Sequence, residues 1–227
     1  MRKNGSRLIS IGQYRLTDLF LFAVILIVAE LLAFYAPRLF PNNADFVFSL
    51  MVPIVLLVMM RWGWPSVFYA VGDGLLVCLL NMGNENFNNS LFGVYVIGNA
   101  FIALLLIMTK FPGKERIAGK WYFSVLFVVA GWLAVFLGRA CAGACFGLGF
   151  VNVLQSQLWD LLSLAVGIAL ILILRRLDGM FEDQKHYLLR VEKEKREKMK
   201  RDTFGDEPVE IDEESLSIIN KRDNDLY

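Results

Sequence analysis

Glu30, Asp73, Asn99, Arg139 and Asp160 are the residues of this chain whose chemistry is out of keeping with their surroundings. Each stands in or beside a long apolar run: Glu30 in "AVILIVAELLAFYA", Asp73 in "VFYAVGDGLLVCLL", Asn99 in "VYVIGNAFIALLLI", Arg139 near the end of "LFVVAGWLAVFLGRA", and Asp160 at the head of "DLLSLAVGIALILIL". An ionisable group at membrane depth is costly unless it pairs, neutralises or faces water, so each of the four charged residues is a candidate for binding a polar solute. A Glu30–Arg139 or Asp73–Arg139 pair would offset part of that cost. The same pairs read equally well as ion pairs that knit a helix bundle together.

Other constellations carry less. In "GRACAGACFG" (138–147), small residues recur four apart, at Gly138/Ala142, Ala140/Ala144 and Gly143/Gly147, a spacing that lets another helix approach closely. Cys141 and Cys145 share that spacing, but two thiols with His186, the only histidine, far off in the chain make a poor metal site. No metal ligand set and no cofactor is expected. Nucleotide loops and nucleophile–base pairs are missing too, so an enzyme is not expected. The segment "NMGNENFNNSLFG" (81–93) gathers Asn81, Asn84, Asn86, Asn88 and Asn89 around Glu85 and Phe87. Asparagine amides both donate and accept, so such a loop can cap a polar ligand. It also suits a plain turn.

The elements that must position these residues follow from composition. The chain has 227 residues, 56% hydrophobic, with mean hydropathy +0.51, too apolar for a soluble domain of this length. Up to residue 174 only seven acidic residues interrupt the apolar runs, so the near-zero net charge averages two unlike regions and says nothing about partners. Six stretches approach the ~20 residues that cross a bilayer: roughly 17–36, 45–60, 64–82, 91–109, 121–145 and 158–174. The second is short and contains Pro53. The expected fold is an all-α membrane protein, a bundle of six transmembrane helices over 17–176. It follows a cytoplasmic N-terminus (1–16) and precedes a charged cytoplasmic helix (177–201) and an acidic disordered tail (202–227).

Basic residues orient the bundle. Arg2, Lys3, Arg7, Arg15, Arg61, Lys110, Lys114, Arg116, Lys120, Arg175 and Arg176 fall on one side, and Arg38 on the other. Both termini are therefore expected in the cytoplasm of a cell-membrane protein. On this topology Glu30, Arg139 and Asp160 lie towards the outer half, with Asp73 near mid-membrane. The first apolar run is of span length without an A-x-A-like site, so no cleaved signal peptide is expected. After residue 174 the character changes. Residues 175–201 hold ten basic and six acidic residues, an excess suited to anionic lipid, and are expected to continue the last span as a polar helix with Gly179 as a swivel. Residues 202–227 carry nine carboxylates against Lys221 and Arg222.

In "FSLMVPIVLLVMMRWGWPSVFYAVGDGLL" (48–76), Trp62, Gly63 and Trp64 mark an inner turn, Pro65 opens the next helix, and Gly72 and Gly74 thin the helix around Asp73. With six spans, both ends inside, and Ala29-x-x-x-Ala33 on the first helix, the chain resembles the substrate-binding S components of energy-coupling factor transporters. The resemblance implies a membrane subunit that captures a small polar micronutrient outside and works with a transmembrane coupling subunit and two cytoplasmic ATPases. Ala29 and Ala33 would form the contact with the coupling subunit. The candidate binding residues are Asp73, Arg139, Glu30, Asn99, Asn81, Asn84 and Asp160. The partners expected are thus a small solute, the lipid bilayer and those subunits, with no nucleic acid. The rod-shape membrane protein that works beside cell-wall synthesis enzymes has a related fold, which keeps open a scaffold or sensor acting through the cytoplasmic tail.

Overall fold

The computed structural model describes residues 11–35, 48–82, 89–157, 160–177 and 179–204. All elements among them are helical: α1 (Ile11–Tyr35), α2 (Met51–Trp62), α3 (Ser66–Asn81), α4 (Asn89–Ala100), the single turn α5 (Leu106–Met108), α6 (Lys114–Gly119), α7 (Trp121–Cys145), α8 (Phe150–Gln157), α9 (Leu161–Leu174) and α10 (Gln184–Phe204). Two units are distinguished, Met1–Leu188 and Leu189–Tyr227. The first carries the bundle.

Three helical stretches are long and apolar enough to cross a membrane: Gly12–Tyr35, Asn89–Phe111 and Trp121–Cys145. A fourth crossing is available if α8 and α9, bent by 54°, act as one broken span. The expected second and third spans are shorter helices of 12 and 16 residues. At 1.5 Å per residue they reach about 18 and 24 Å, against roughly 30 Å of hydrocarbon. The stretch 45–60 thus becomes a helix only from Met51, where Ser49 Oγ accepts from Met51 N at 3.1 Å at the helix entry.

α2 is the centre of the bundle. Ten of its twelve residues are buried, which is how a helix apolar all round must pack. It touches α1, α3, α7 and α9. Its core partners include Phe22 and Leu26 from α1, Phe127 and Val128 from α7, and Ile171 from α9. Burying one such side chain stabilises by roughly 1.5–3 kcal/mol relative to water. Inside a bilayer the gain comes from close packing instead.

α3, α4 and α7 form a second packed group, built on missing side chains. A Cβ on Gly74 would lie 2.6 Å from Tyr95 O, one on Gly98 would lie 2.6 Å from Arg139 Cα, and one on Gly138 would lie 2.5 Å from Gly98 O. Only Gly74 of the pair around Asp73 has this role, since Gly72 faces open space. The small-residue face of α7 therefore packs within the chain through Gly138 and Ala142, while Cys141 and Cys145 are exposed.

The polar helix expected to continue the last span is separate from it. α9 ends at Leu174, residues 175–177 and 179–182 turn or bend with Gly179 at φ +73°, and α10 starts at Gln184. Phe181 and Gln184 are buried, only 2% and 1% exposed, so this turn is part of the core rather than a swivel. The tail beyond Phe204 lies outside the described residues.

Candidate functional site

Glu30 holds the entry to α2. Its carboxylate, 5% exposed, accepts from Ser49 Oγ at 2.7 Å and from Leu50 N at 3.2 Å, where the helix N-terminus favours negative charge. Ser49 N in turn donates to Ser163 Oγ of α9 at 2.8 Å. Three elements far apart in sequence are thus tied through one carboxylate and two hydroxyls.

Asp73, 1% exposed, meets Asn99, which is fully buried. Asn99 Nδ2 donates to Asp73 Oδ2 at 3.2 Å and to Ala70 O at 3.2 Å, while Asn99 Oδ1 accepts from Arg139 Nε at 2.8 Å. The ion pairs expected between Arg139 and Glu30 or Asp73 are therefore replaced by an amide bridge. Gly98 packs on the backbone of Arg139, which brings the adjacent Asn99 between α3 and α7, and a carboxamide can serve an acceptor and a donor at once.

Arg139 is 8% exposed, and its guanidinium carbon lies 5.1 Å from the Tyr95 ring centre. It is in electrostatic reach of Glu30, Asp73 and Asp160. Yet among the described residues no carboxylate lies within ion-pair distance of it, and only Nε donates a hydrogen bond. Among the described residues its terminal amino groups, Nη1 and Nη2, have no hydrogen-bond partner. Oδ1 of Asp160, buried, has no hydrogen-bond partner among the described residues either.

These loose ends share a cavity. Ser49, Trp132, Arg139, Asp160, Ser163 and Gly167 line it together with apolar residues of α2, α7 and α9, and its volume of about 10 Å³ is room for one water-sized group. Arg139 and Asp160 line the same small space without forming an ion pair. Chemically the arrangement can accept from a donor, donate to an acceptor, and exclude anything bulky. Among the described residues no His/Cys/Asp/Glu group can hold a metal ion.

Five of the seven candidate binding residues are thus gathered: Glu30, Asp73, Asn99, Arg139 and Asp160. Asn81 donates to Val77 O one turn back on its own helix at 2.8 Å. Asn84 and the loop 83–88 lie outside the described residues. Ala29 and Ala33 are 9% and 7% exposed, covered by the chain itself, whereas α1 presents Leu16, Phe20, Val28 and Leu32 outwards. An alanine face for another subunit is not what this helix displays.

Sequence reasoning passed over Ser49, Ser163, Trp132 and Tyr95. Searching the apolar runs for hydroxyls as well as charges would have found the two serines. It also used Arg61 only to orient the bundle. Arg61 is 4% exposed, and its Nη2 and Nε bond the two oxygens of Asp18 at 2.8 and 2.9 Å.

No family model, curated protein or solved structure matches this chain.

Proposed function

We propose that this chain is a multi-pass membrane protein that captures a small polar solute through the polar cluster around Arg139, Asp73, Glu30 and Asp160. In that role it would serve a transporter as a binding subunit, like the S components of energy-coupling factor systems. One observation carries the reading. Arg139, buried inside an apolar bundle, donates among the described residues only through Nε and closes no ion pair with the acids around it. A group so expensive to bury is ordinarily closed off by partners unless something else is to bind it.

On this reading α2 and α3 cross the bilayer with α1, α4–α5, α7 and α8–α9, giving six spans with both termini in the cytoplasm. The short α2 would be shielded from lipid by its neighbours. Energy would come from separate coupling and ATPase subunits. Affinity purification of the tagged protein from its native membrane in mild detergent tests this, with mass spectrometry of what accompanies it. A membrane coupling subunit with paired ATPases is the expected result. Cell-envelope or signalling proteins without an ATPase would overturn it.

The second reading, a scaffold or sensor acting through its tail, has its own support in the separate unit Leu189–Tyr227. Its charged helix α10 displays Lys193, Glu194 and Arg196 to solvent. Deleting residues 189–227 would abolish function on that reading and spare solute binding on the first.

A further inference from the structure

Charge at one end of the bundle is spent unevenly. Three sets of contacts gather that end. Lys114 Nζ pairs with Asp183, Arg175 donates through Nε to Ala118 O at 2.7 Å and through Nη2 to Gly119 O at 2.6 Å, and Arg61 donates to Gly179 O at 2.9 Å. The chain just after α9 is thus tied to α6, and the turn around Gly179 to α2. Asp18 and Asp183 are used up inside this end, the first by Arg61 and Trp62, the second by Lys114. The cations outside are not answered. Among the described residues of Met1–Leu188, the exposed lysines and arginines are Lys110, Arg116, Lys120, Arg176 and Lys185, and the one exposed acid is Glu115.

Aromatic side chains interleave with these cations. Phe111 is 80% exposed, Trp121 63% and Tyr122 47%, and Lys120 Nζ lies 5.8 Å from the Tyr122 ring centre. Phe111 closes the apolar stretch Asn89–Phe111 and Trp121 opens Trp121–Cys145, so both rings stand where a span meets the headgroups. Leu104 and Ile107, in the stretch that Phe111 closes, and Leu126, one turn after Tyr122, are exposed as well. The cationic and aromatic rim therefore continues into bare apolar surface on the same helical stretches.

We infer that this end of the bundle binds anionic phospholipid, with Lys110, Arg116, Lys120 and Arg176 taking the headgroups and the apolar surface beyond the rim taking the acyl chains. The inference rests on the membrane-spanning part of the reading above, not on solute capture. Charge complementarity selects the occupant. A phosphodiester without a counter-charge answers the exposed cations, whereas a choline headgroup brings a cation of its own. An acidic protein would match the charge but leave the apolar surface beside it bare.

The experiment is native mass spectrometry of the full chain released from nanodiscs of equal phosphatidylglycerol and phosphatidylcholine with the same acyl chains, identifying the lipids that stay bound. Phosphatidylglycerol should exceed phosphatidylcholine among them by about fivefold or more. The preference should fall as salt is raised. The combined variant Lys110→Gln, Arg116→Gln, Lys120→Gln and Arg176→Gln should bring the two lipids near parity. Its unfolding temperature in neutral detergent should stay close to wild type, because the side chains of Lys110, Arg116 and Arg176 bond nothing among the described residues. Should it fail to fold, Lys110→Gln with Arg116→Gln decides alone, with an expected fall in preference of about twofold or more. Glu115→Gln should raise the preference. Equal retention of the two lipids by the wild type, or an undiminished preference in a folded variant, would overturn the proposal. A wild-type chain without lipid preference that captures an acidic protein would overturn it too, and make this face a protein interface. Retention of both lipids without preference leaves the membrane-spanning reading in place, whereas failure to enter nanodiscs removes both.

Discussion

Arg61 and Arg139 are both arginines buried in one helix bundle, 4% and 8% exposed, and the structure treats them oppositely. Arg61 is saturated. Nε and Nη2 grip both oxygens of Asp18, Nη1 donates to Gly179 O at 2.9 Å, and its guanidinium sits 5.5 Å from the Phe22 ring centre. Trp62 Nε1 adds a bond to the same carboxylate at 2.6 Å. One base meets one acid, so the charges cancel where they stand. Arg139 has three acids in its field, bonds only a neutral amide, and borders a cavity. Burial alone does not separate a structural charge from a binding one. What separates them is whether donors and acceptors are used up.

The comparison can be broken most severely at Arg61. Arg61→Ala leaves Asp18 buried without its cation and is expected to cost about 3–5 kcal/mol, read as a large fall in unfolding temperature in detergent. Arg61→Lys should recover little, because an ammonium cannot hold both oxygens of Asp18 and Gly179 O in one fork. At the other site the sensitive point is the helix contact. Gly98→Ala drives a methyl towards Arg139 Cα, with an expected loss of about 1–3 kcal/mol and displacement of Asn99.

Asp73→Asn should be much milder, within about 1 kcal/mol of wild type, since it removes one of the surplus acids and keeps an acceptor for Asn99. A loss as large as that of Arg61→Ala would place Asp73 in a structural network and erase the contrast between the two arginines. The smallest effect belongs to Gly167→Ala, a gain of up to about 1 kcal/mol from helix propensity, visible as an equal or raised unfolding temperature.

Much of this was legible in the runs of apolar residues. α7 coincides with the stretch 121–145, and α1 and the α4–α5 region follow the first and fourth stretches, because helices of that length and composition need no partner to be recognised. That Glu30, Asp73, Arg139 and Asp160 are out of keeping with their surroundings was also legible from their cost in an apolar setting. The pairing was not. Which polar group reaches which depends on how closely helices approach, and that is decided by Gly74, Gly98 and Gly138 meeting backbone from other helices. The partners of Arg61 were missed for a related reason. A basic residue beside Trp-Gly-Trp served only the orientation of the bundle, while its bond to Gly179 O spans 118 residues of sequence. The start of α2 was misplaced because its entry is defined by Glu30, twenty residues upstream of Leu50.

The amide of Asn99 has a consequence of its own. A carboxamide is lopsided, and here its nitrogen end answers an acid while its oxygen end answers a base. Turned half a rotation, it would set donor against donor and acceptor against acceptor, so the link has a sense of direction. Asn99 therefore fixes which of its ends meets α3 and which meets α7, so a contact between helices that carries no charge of its own still has a polarity.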